Sequence, residues 1–450
     1  MKKFLTLFLV SLLLFCPLAL TGCGNSSSSN TASTQINFTE RTFSCIDKLT
    51  ALDYAAFYQC FDKSLQKEIS QAEVQKVWSD FTVQYGKFEY YKTDIALTAK
   101  DGYQIADVPC YFKRGSVTVR LTFNKNGEIC GFFITDNTST TNSMQLERDT
   151  EVTFGSKEYP ISGSLTLPEG NGPFPAVILV HGSGPSDRNE QIGPNLPFMD
   201  LASQLSKQGI AVLRYDKRTY LYGAEMASLD TLTVREETIE DAALAVEFLK
   251  TRNTIQSDQI YIAGHSLGGY LLPRIAQAAP DTAGYIFLAA PARPMEDLLL
   301  EQTEYILSLD KSLDEASKTK MLEQTAAIVG NIKSLTSEST LSSAELGNVP
   351  AGYWLDLQKY KPLTDVQTID KPMLFLQGGR DYQVTVTDYE LWRDAMLNCP
   401  EADVHFQLFD NLNHLFMPGT GKSTPAEYQQ KNVCSEDVSK AIAGFVKQHG

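Results

Sequence analysis

At 450 residues the chain is too long for one typical domain and points to two or three. Hydrophobic residues at 43% and charged residues at 21% sit near the averages for globular proteins, which excludes wholesale disorder and a multi-span membrane protein. A formal charge of −15 without clustered Lys and Arg excludes nucleic acid as a partner, because phosphate binding needs a basic patch.

The first element is a targeting segment. Lys2 and Lys3 precede the apolar run Phe4 to Leu20, and Pro17 breaks a helix before it can cross a hydrocarbon layer of about 30 Å. Residues 1–22 therefore read as a signal peptide. Its end, Leu20-Thr21-Gly22-Cys23, resembles the bacterial lipobox, which implies that Cys23 is diacylated on sulfur and becomes the first mature residue. Such an anchor places the protein on the outer side of a bacterial membrane. Cleavage removes Lys2 and Lys3 and no acid, taking the charge from −15 to −17. Residues 23–40 include the Ser/Thr/Asn-rich stretch Asn25 to Thr34, a flexible spacer.

Residues 41–136 form a small α+β domain. Leu49, Leu52, Ala56 and Tyr58 to Phe61 recur at loosely helical spacing, and Val74, Val77, Trp78 and Phe81 mark a second helix. Tyr111 to Phe112, Val117 to Phe123 and Ile129 to Thr135 alternate as strands, with Asn126-Gly127 as a hairpin turn between the last two. The outline is similar to cystatin-like or nuclear-transport-factor-like modules. The domain holds no His and no catalytic cluster, so it reads as a packing or binding module.

With Cys16 in the signal and Cys23 lipidated, Cys45, Cys60, Cys110, Cys130, Cys399 and Cys434 are left, an even number that permits disulfides outside the cytoplasm. Four of these precede residue 131, so bridges are expected mainly in the small domain. None has CxxC spacing, and neither a metal nor a cofactor is expected.

After a polar linker at 137–150, residues 151–450 alternate strands with helices, the pattern of a mostly parallel sheet with helices on both faces. Expected strands are Ala176 to Val180, Ile210 to Arg214, Gln259 to Ala263, Tyr285 to Ala289, Met373 to Leu376 and Val404 to Leu408; Ile239, Ala242, Ala243, Val246 and Leu249 mark an amphipathic helix. From about 293 to 370 the rhythm stops and helical sequence intervenes, read as a cap inserted over the sheet.

Gly264-His265-Ser266-Leu267-Gly268-Gly269 contains Gly-x-Ser-x-Gly, which is weak alone. Its context is a strand, Ile260 to Ala263, and a following helical stretch with Leu271, Leu272 and Ile275, as a nucleophile elbow requires. Glycines beside the serine let a strained turn close. Here the chain resembles the α/β-hydrolase family, from roughly Glu151 to Gly450.

The resemblance implies Ser266 as nucleophile, with a histidine base in the loop after the last strand. Among five His, His414 lies in that loop, whereas His449 is near the C-terminus, His405 is in a predicted strand, His265 flanks the serine and His181 is in a different loop. The acid turn after the preceding strand places Asp381, in Gln377-Gly378-Gly379-Arg380-Asp381, in the chain order Ser266, Asp381, His414. Asp388 falls in a helical segment and Asp410 only four positions before His414. The oxyanion donors implied are the backbone N–H groups of Leu267 and of Ser183, in His181-Gly182-Ser183-Gly184-Pro185; His181 itself reads as structural.

That loop, with Asp187-Arg188 and Arg214-Tyr215-Asp216-Lys217-Arg218, resembles a bacterial carboxylesterase subgroup related to serine aminopeptidases, although Thr219-Tyr220 stand where such proteins often continue Gly-x-Gly. Tyr353, Trp354 and Tyr360 in the cap are candidates for an acyl pocket or for core. The chemistry implied is transfer of a small-molecule acyl group to water, on carboxylic esters. Peptidase, aminopeptidase or thioesterase action on the same triad is the alternative, and a non-catalytic ligand-binding surface lipoprotein is an alternative of another class.

Overall fold

The computed structural model describes residues 36–136, except 94, 96, 101 and 114, and residues 146–450, except 228 and 230. The signal segment, Cys23, and most of the spacer and linker lie outside the described residues. Among the described residues no helix is long and apolar enough to cross a membrane. The chain divides into two units, with the boundary between Gln145 and Leu146.

In the first unit the helix Phe38–Thr50 is capped by Asn37, and Gln71–Tyr85 by a Ser70/Glu73 capping box, before Gly86 at φ +84 ends it. Five antiparallel strands follow: β1 (Phe88–Tyr91), β2 (Leu97–Lys100), β3 (Tyr103–Phe112), β4 (Gly115–Phe123) and β5 (Ile129–Asp136), in the order β1-β3-β4-β5 with β2 also on β3. Ala106, Val108, Cys110 and Phe112 of β3, with Val117, Val119, Leu121 and Phe123 of β4, turn alternate side chains onto the helices, where Trp78 and Phe57 are fully buried. The Asn126-Gly127 turn is a longer loop than a two-residue hairpin: Asn124 Oδ1 accepts from Asn126 N and Glu128 N, and Gly127 takes φ +74.

The expected disulfides are not formed; all six described Cys are free. Cys110 sits on β3 and Cys130 on β5, with β4 between them. Two strand spacings are roughly 9.5 Å, beyond a disulfide's Cα reach of about 7 Å. Cys60 Sγ donates to Ala56 O at 3.5 Å, and the nearby Cys45 thiol draws the Cys60 thiol below its ordinary range.

The second unit carries an eight-stranded sheet of β6 (Asp149–Gly155), β7 (Pro160–Thr166), β8 (Phe174–Val180), β9 (Ala211–Tyr215), β10 (Ile255–His265), β11 (Gly284–Leu288), β12 (Met373–Gly378) and β13 (Val404–Phe409), in the order β13-β12-β11-β10-β8-β9-β7-β6. Strands β8 to β13 run parallel, while β7 is antiparallel to both β6 and β9. The central strands are buried on both faces, hence their unbroken apolar sequence. One face packs on Glu240–Lys250, Leu272–Ala278 and the cap, the other on Pro197–Ser206 and Glu436–Gln448. Between β11 and β12 the chain is helical, with Met295–Leu309, Glu315–Lys333 and Ala351–Lys359 as the main helices of the segment read as a cap.

Candidate active site

The sheet order locates the site. From β8 the chain crosses to β9 on one side, and from β10 to β11 on the other. Loops leaving the carboxyl ends of these adjacent strands diverge, and it is at such a switch point that α/β sheets place ligands. His181 to Asp187 follow β8, and Ser266 follows β10.

Ser266 has φ +51 and ψ −118, a conformation that a residue with a Cβ holds only when its surroundings impose it. Here Ser266 N donates to Leu288 O at 2.9 Å, and Ser266 O accepts from Tyr270 N at 2.9 Å. A Cβ on Gly264 would run into Gly268 O, and one on Gly268 would stand 2.5 Å from Val180 O, so the tight strand-to-helix turn requires glycine at both. Leu267 is the first residue of the helix Leu267–Tyr270, so its N–H has no intrahelical acceptor.

His414 Nδ1 donates to Asp381 Oδ2 at 2.7 Å. The carboxylate is buried and held from every side: Oδ1 accepts from Gln383 N (2.8 Å) and Val384 N (3.1 Å), and Oδ2 also from Gln377 Nε2 (3.3 Å). Since a carboxylate only accepts, Nδ1 carries the hydrogen and Nε2 of the neutral ring keeps its lone pair. The glycines of the acid turn have a packing reason, because a Cβ on Gly378 would lie 2.5 Å from Leu412 O in the loop that bears His414. His414 O lies 2.9 Å from Nε2 of His265, and the two rings are 4.6 Å apart, which ties the loop to the residue preceding Ser266.

The two rival acids are placed elsewhere. Asp388, in the helix Val386–Met396, accepts from Ala292 N (2.9 Å) and Arg293 N (3.1 Å) and pairs with the Arg293 guanidinium at 2.7 Å. Asp410 is exposed.

The loop after β8 lies against the serine: a Cβ on Gly182 would be 3.2 Å from Ser266 Cβ and 3.7 Å from its Oγ. Two buried charges that the sequence reading did not assign hold this loop. Glu190, at φ +50, accepts from Gly182 N at 2.6 Å, and its other oxygen lies 2.8 Å from His265 Nδ1, an ion pair by distance without hydrogen-bond alignment. Both neighbours of the His265 ring, this carboxylate and the His414 carbonyl, present negative potential to it and favour its charged form. Burial is the largest single influence and opposes that charge, but Glu190 together with the His414 carbonyl and Asp381 raises the His265 pKa; burial likewise opposes ionisation of Glu190, and His265, His181 and the Gly182 N–H together lower its pKa.

Lys217 Nζ donates to Gly182 O (2.7 Å) and Gly184 O (3.1 Å) and pairs with Glu237 Oε1 at 2.5 Å. Glu237 Oε2 accepts from Tyr353 OH of the cap at 2.6 Å. A signal existed for these groups: Glu190 and Lys217 stand in charged stretches shortly after apolar strands. The contacts they make, up to 116 positions apart between Glu237 and Tyr353, cannot be read from spacing.

His181 is buried between Phe198 and Tyr215, with Nε2 on Asp187 O at 2.9 Å; burial pushes its pKa down to about 4, so it stays neutral. Trp354 is packed in the core with Nε1 donating to Leu346 O, and Tyr360 OH donates to Tyr270 O. With Tyr353 on Glu237, the polar atoms of the three cap aromatics are engaged internally, and all three are buried in the core of this unit.

A family model described as "Serine aminopeptidase, S33" matches residues 173–418, and one described as a protein of unknown function (DUF3887) matches residues 44–132. A Thermotoga maritima protein named Esterase EstD is 35% identical over 413 residues, covering 91% of this chain and 95% of its own length. Among solved structures, the Pyrococcus furiosus esterase Pf2001 aligns at 16% identity and a TM-score of 0.42, over 67% of this chain and 90% of that one. Est1E from Butyrivibrio proteoclasticus aligns at 17% identity and a TM-score of 0.42, over 66% and 98%.

Proposed function

Since the chain belongs to the S33 serine aminopeptidase family of α/β hydrolases, we propose that it is a serine ester hydrolase working through an acyl-Ser266 intermediate. The observation that carries the reading is the 2.7 Å bond from His414 Nδ1 to the buried Asp381 carboxylate, in a loop tied to the residue beside the strained serine. The relative named an esterase, which covers nearly the whole chain, supports esters as the substrate class.

In this mechanism Nε2 of His414 takes the Ser266 proton as Oγ attacks the ester carbonyl. Asp381 stays ionised, fixes the imidazole tautomer and stabilises the imidazolium that forms. The N–H groups of Leu267 and Ser183 receive the oxyanion, and His414 returns its proton to the departing alkoxide. A water deprotonated by His414 then releases the acid. A fluorophosphonate probe should label the wild type and not Ser266→Ala, and acyl nitrophenyl esters should turn over faster than amino-acid nitroanilides. Turnover confined to nitroanilides would replace the reading with a peptidase, and no labelling at all would leave a ligand-binding protein on a hydrolase fold.

We further propose that Cys23 carries the lipid that holds the protein on the outer face of a bacterial membrane, on the strength of the lipobox-like Leu20 to Cys23. Cys23→Ala should move the protein from the membrane fraction to a soluble or unprocessed form. Unchanged acyl labelling of that variant would rule the anchor out.

A further inference from the structure

Three of the five histidines belong to the site around Ser266. The other two, His405 and His449, meet near the amino end of the edge strand β13, away from the carboxyl ends that bear Ser266 and His414. Asp403 immediately precedes that strand, and its carbonyl accepts from Met373 N at 2.9 Å. Two positions apart on extended chain, Asp403 and His405 project to the same side. His449 follows the helix Glu436–Gln448, and the buried Phe445 of that helix packs against both imidazoles, with ring centroids 5.8 Å from His405 and 4.6 Å from His449. Strand and helix thus bring three ligating side chains together with their rings already seated.

Nε2 of His405 lies 2.9 Å from Asp403 Oδ1, Nε2 of His449 lies 2.9 Å from Oδ2, and the candidate donor atoms all fall within 4.8 Å of one another. The hydrogen bonding of His449 gives the cluster its meaning. Its Nδ1 is 2.8 Å from Phe445 O, and a carbonyl only accepts, so Nδ1 carries the hydrogen. Nε2 of the neutral ring then turns a lone pair toward a carboxylate oxygen that also only accepts. Two acceptors at 2.9 Å need a positive charge between them, either a proton on Nε2 or a metal ion. A backbone carbonyl on the far ring nitrogen is the arrangement that orients metal-bound histidines. His405 brings a second imidazole nitrogen to the same carboxylate, which a proton on His449 does not require.

We propose that Asp403, His405 and His449 form a binding site for a divalent transition ion of the Zn²⁺ type, through one carboxylate oxygen and the two Nε2 atoms, with water completing the coordination. Two imidazoles and a carboxylate suit Zn²⁺ and not Ca²⁺ or Mg²⁺, which take oxygen ligands. Zinc bonds of about 2.0–2.2 Å in a tetrahedron set neighbouring ligands roughly 3.3 Å apart, so the 2.9 Å contact to the coordinating oxygen needs to open by a few tenths of an ångström, while the other donor pairs, which lie within 4.8 Å, draw in by up to about 1.5 Å. The Asp403 side chain is 50% exposed, which gives the ion a path in, while that of His449 is 10% exposed. The ion would clamp the C-terminal helix to the sheet edge, a stabilising role separate from the chemistry at Ser266.

The test is calorimetric titration of ZnCl₂ into the full chain, carrying no histidine tag and stripped with EDTA. One equivalent should bind to the wild type. Asp403→Asn and His405→Gln should each weaken binding by at least about tenfold, since even outer groups around a metal are worth 10–100-fold. Zinc should raise the melting temperature of the wild type and leave that of both variants unmoved, while ester turnover of the metal-free variants matches the wild type. Zinc binding of equal strength in wild type and variants, or no uptake by the wild type at millimolar zinc, would overturn the proposal and leave an imidazolium–carboxylate pair only.

Discussion

The two units bury different things. In the first, the buried polar side chains among the described residues are Thr42 and Ser116, and its Arg120–Asp107 pair is 44% and 43% exposed. In the second, Arg214–Asp149, Lys217–Glu237, Arg218–Asp241 and Arg188–Asp216 are ion pairs almost or wholly out of water. Exposed pairs are worth roughly 0–1 kcal/mol, and an apolar core of equal volume often serves stability as well as a buried pair. Stability alone does not account for charge concentrated in one unit. Lys217 and Glu190 instead fix the loop against Ser266, so the contrast separates a unit built to pack from one built to hold polar groups in place.

The sharpest way to break this contrast is at the acid. Asp381→Asn should lower kcat on a nitrophenyl ester by about 10⁴, because the amide forces the wrong imidazole tautomer. Asp388→Asn, equally buried but engaged with Arg293, should cost stability and little kcat. The reverse ranking in two folded variants would mean that the acid has been misassigned.

A smaller effect is expected beneath the loop. Replacing both Lys217→Met and Glu237→Gln removes the pair without leaving either charge alone in the interior. We expect kcat to fall by about 10- to 100-fold with KM little changed, less than the roughly 10²–10³ that loss of an oxyanion donor costs. An unchanged kcat would show that the loop holds its shape without the pair.

Smaller again is a stability term that depends on pH. The His265 pKa is raised on folding, so its share is fully present below the unfolded value of about 6.5 and is lost as pH rises through the folded value. The Glu190 pKa is lowered, so its share is present above the unfolded value of about 4.3 and is lost as pH falls through the folded one. Together they contribute most between about 4.3 and 6.5. Urea melts of the wild type and Glu190→Gln should differ most in that window, and the difference should shrink as pH rises through the folded His265 value. A difference independent of pH would refute the ion pair. Smallest of all, a chain beginning at Ser143 should keep the wild-type kcat on a small activated ester; loss of turnover in a folded truncation would show that the packing unit completes the site.

Much of the second unit was legible because its signals are local. An apolar strand, a glycine-flanked serine and a helical stretch lie within twenty residues, and the acid turn and histidine loop each follow a strand. What stayed hidden depends on distance or on weak patterns. Most of β3 was missed because Pro109 interrupts the run, although the strand continues through it opposite Thr118. Strands β6 and β7 mix polar and apolar residues at the sheet edge and do not resemble the buried central strands. Glu190 carries no motif, and its role follows only from where Gly182 and His265 meet it. The expectation of no metal rested on cysteine spacing, which does not bear on the site proposed at His405 and His449, 44 positions apart.

The cap is fastened unevenly, and that has a mechanical consequence. Along Ala351–Lys359 and the residue after it, Tyr353 reaches Glu237, Asp356 grips Arg274 with two bonds of 2.6 and 3.0 Å, and Tyr360 reaches Tyr270. Helix Glu315–Lys333 buries only Val329 and Ile332. The insertion is thus pinned by side-chain bonds at one end and held by few buried side chains along Glu315–Lys333. Backbone amides from Tyr353 to Leu357 should exchange with solvent only when the whole unit opens, whereas those from Glu315 to Ala327 should exchange through local fraying. The pinned end is also the one that reaches Glu237, whose pair with Lys217 holds the loop after β8.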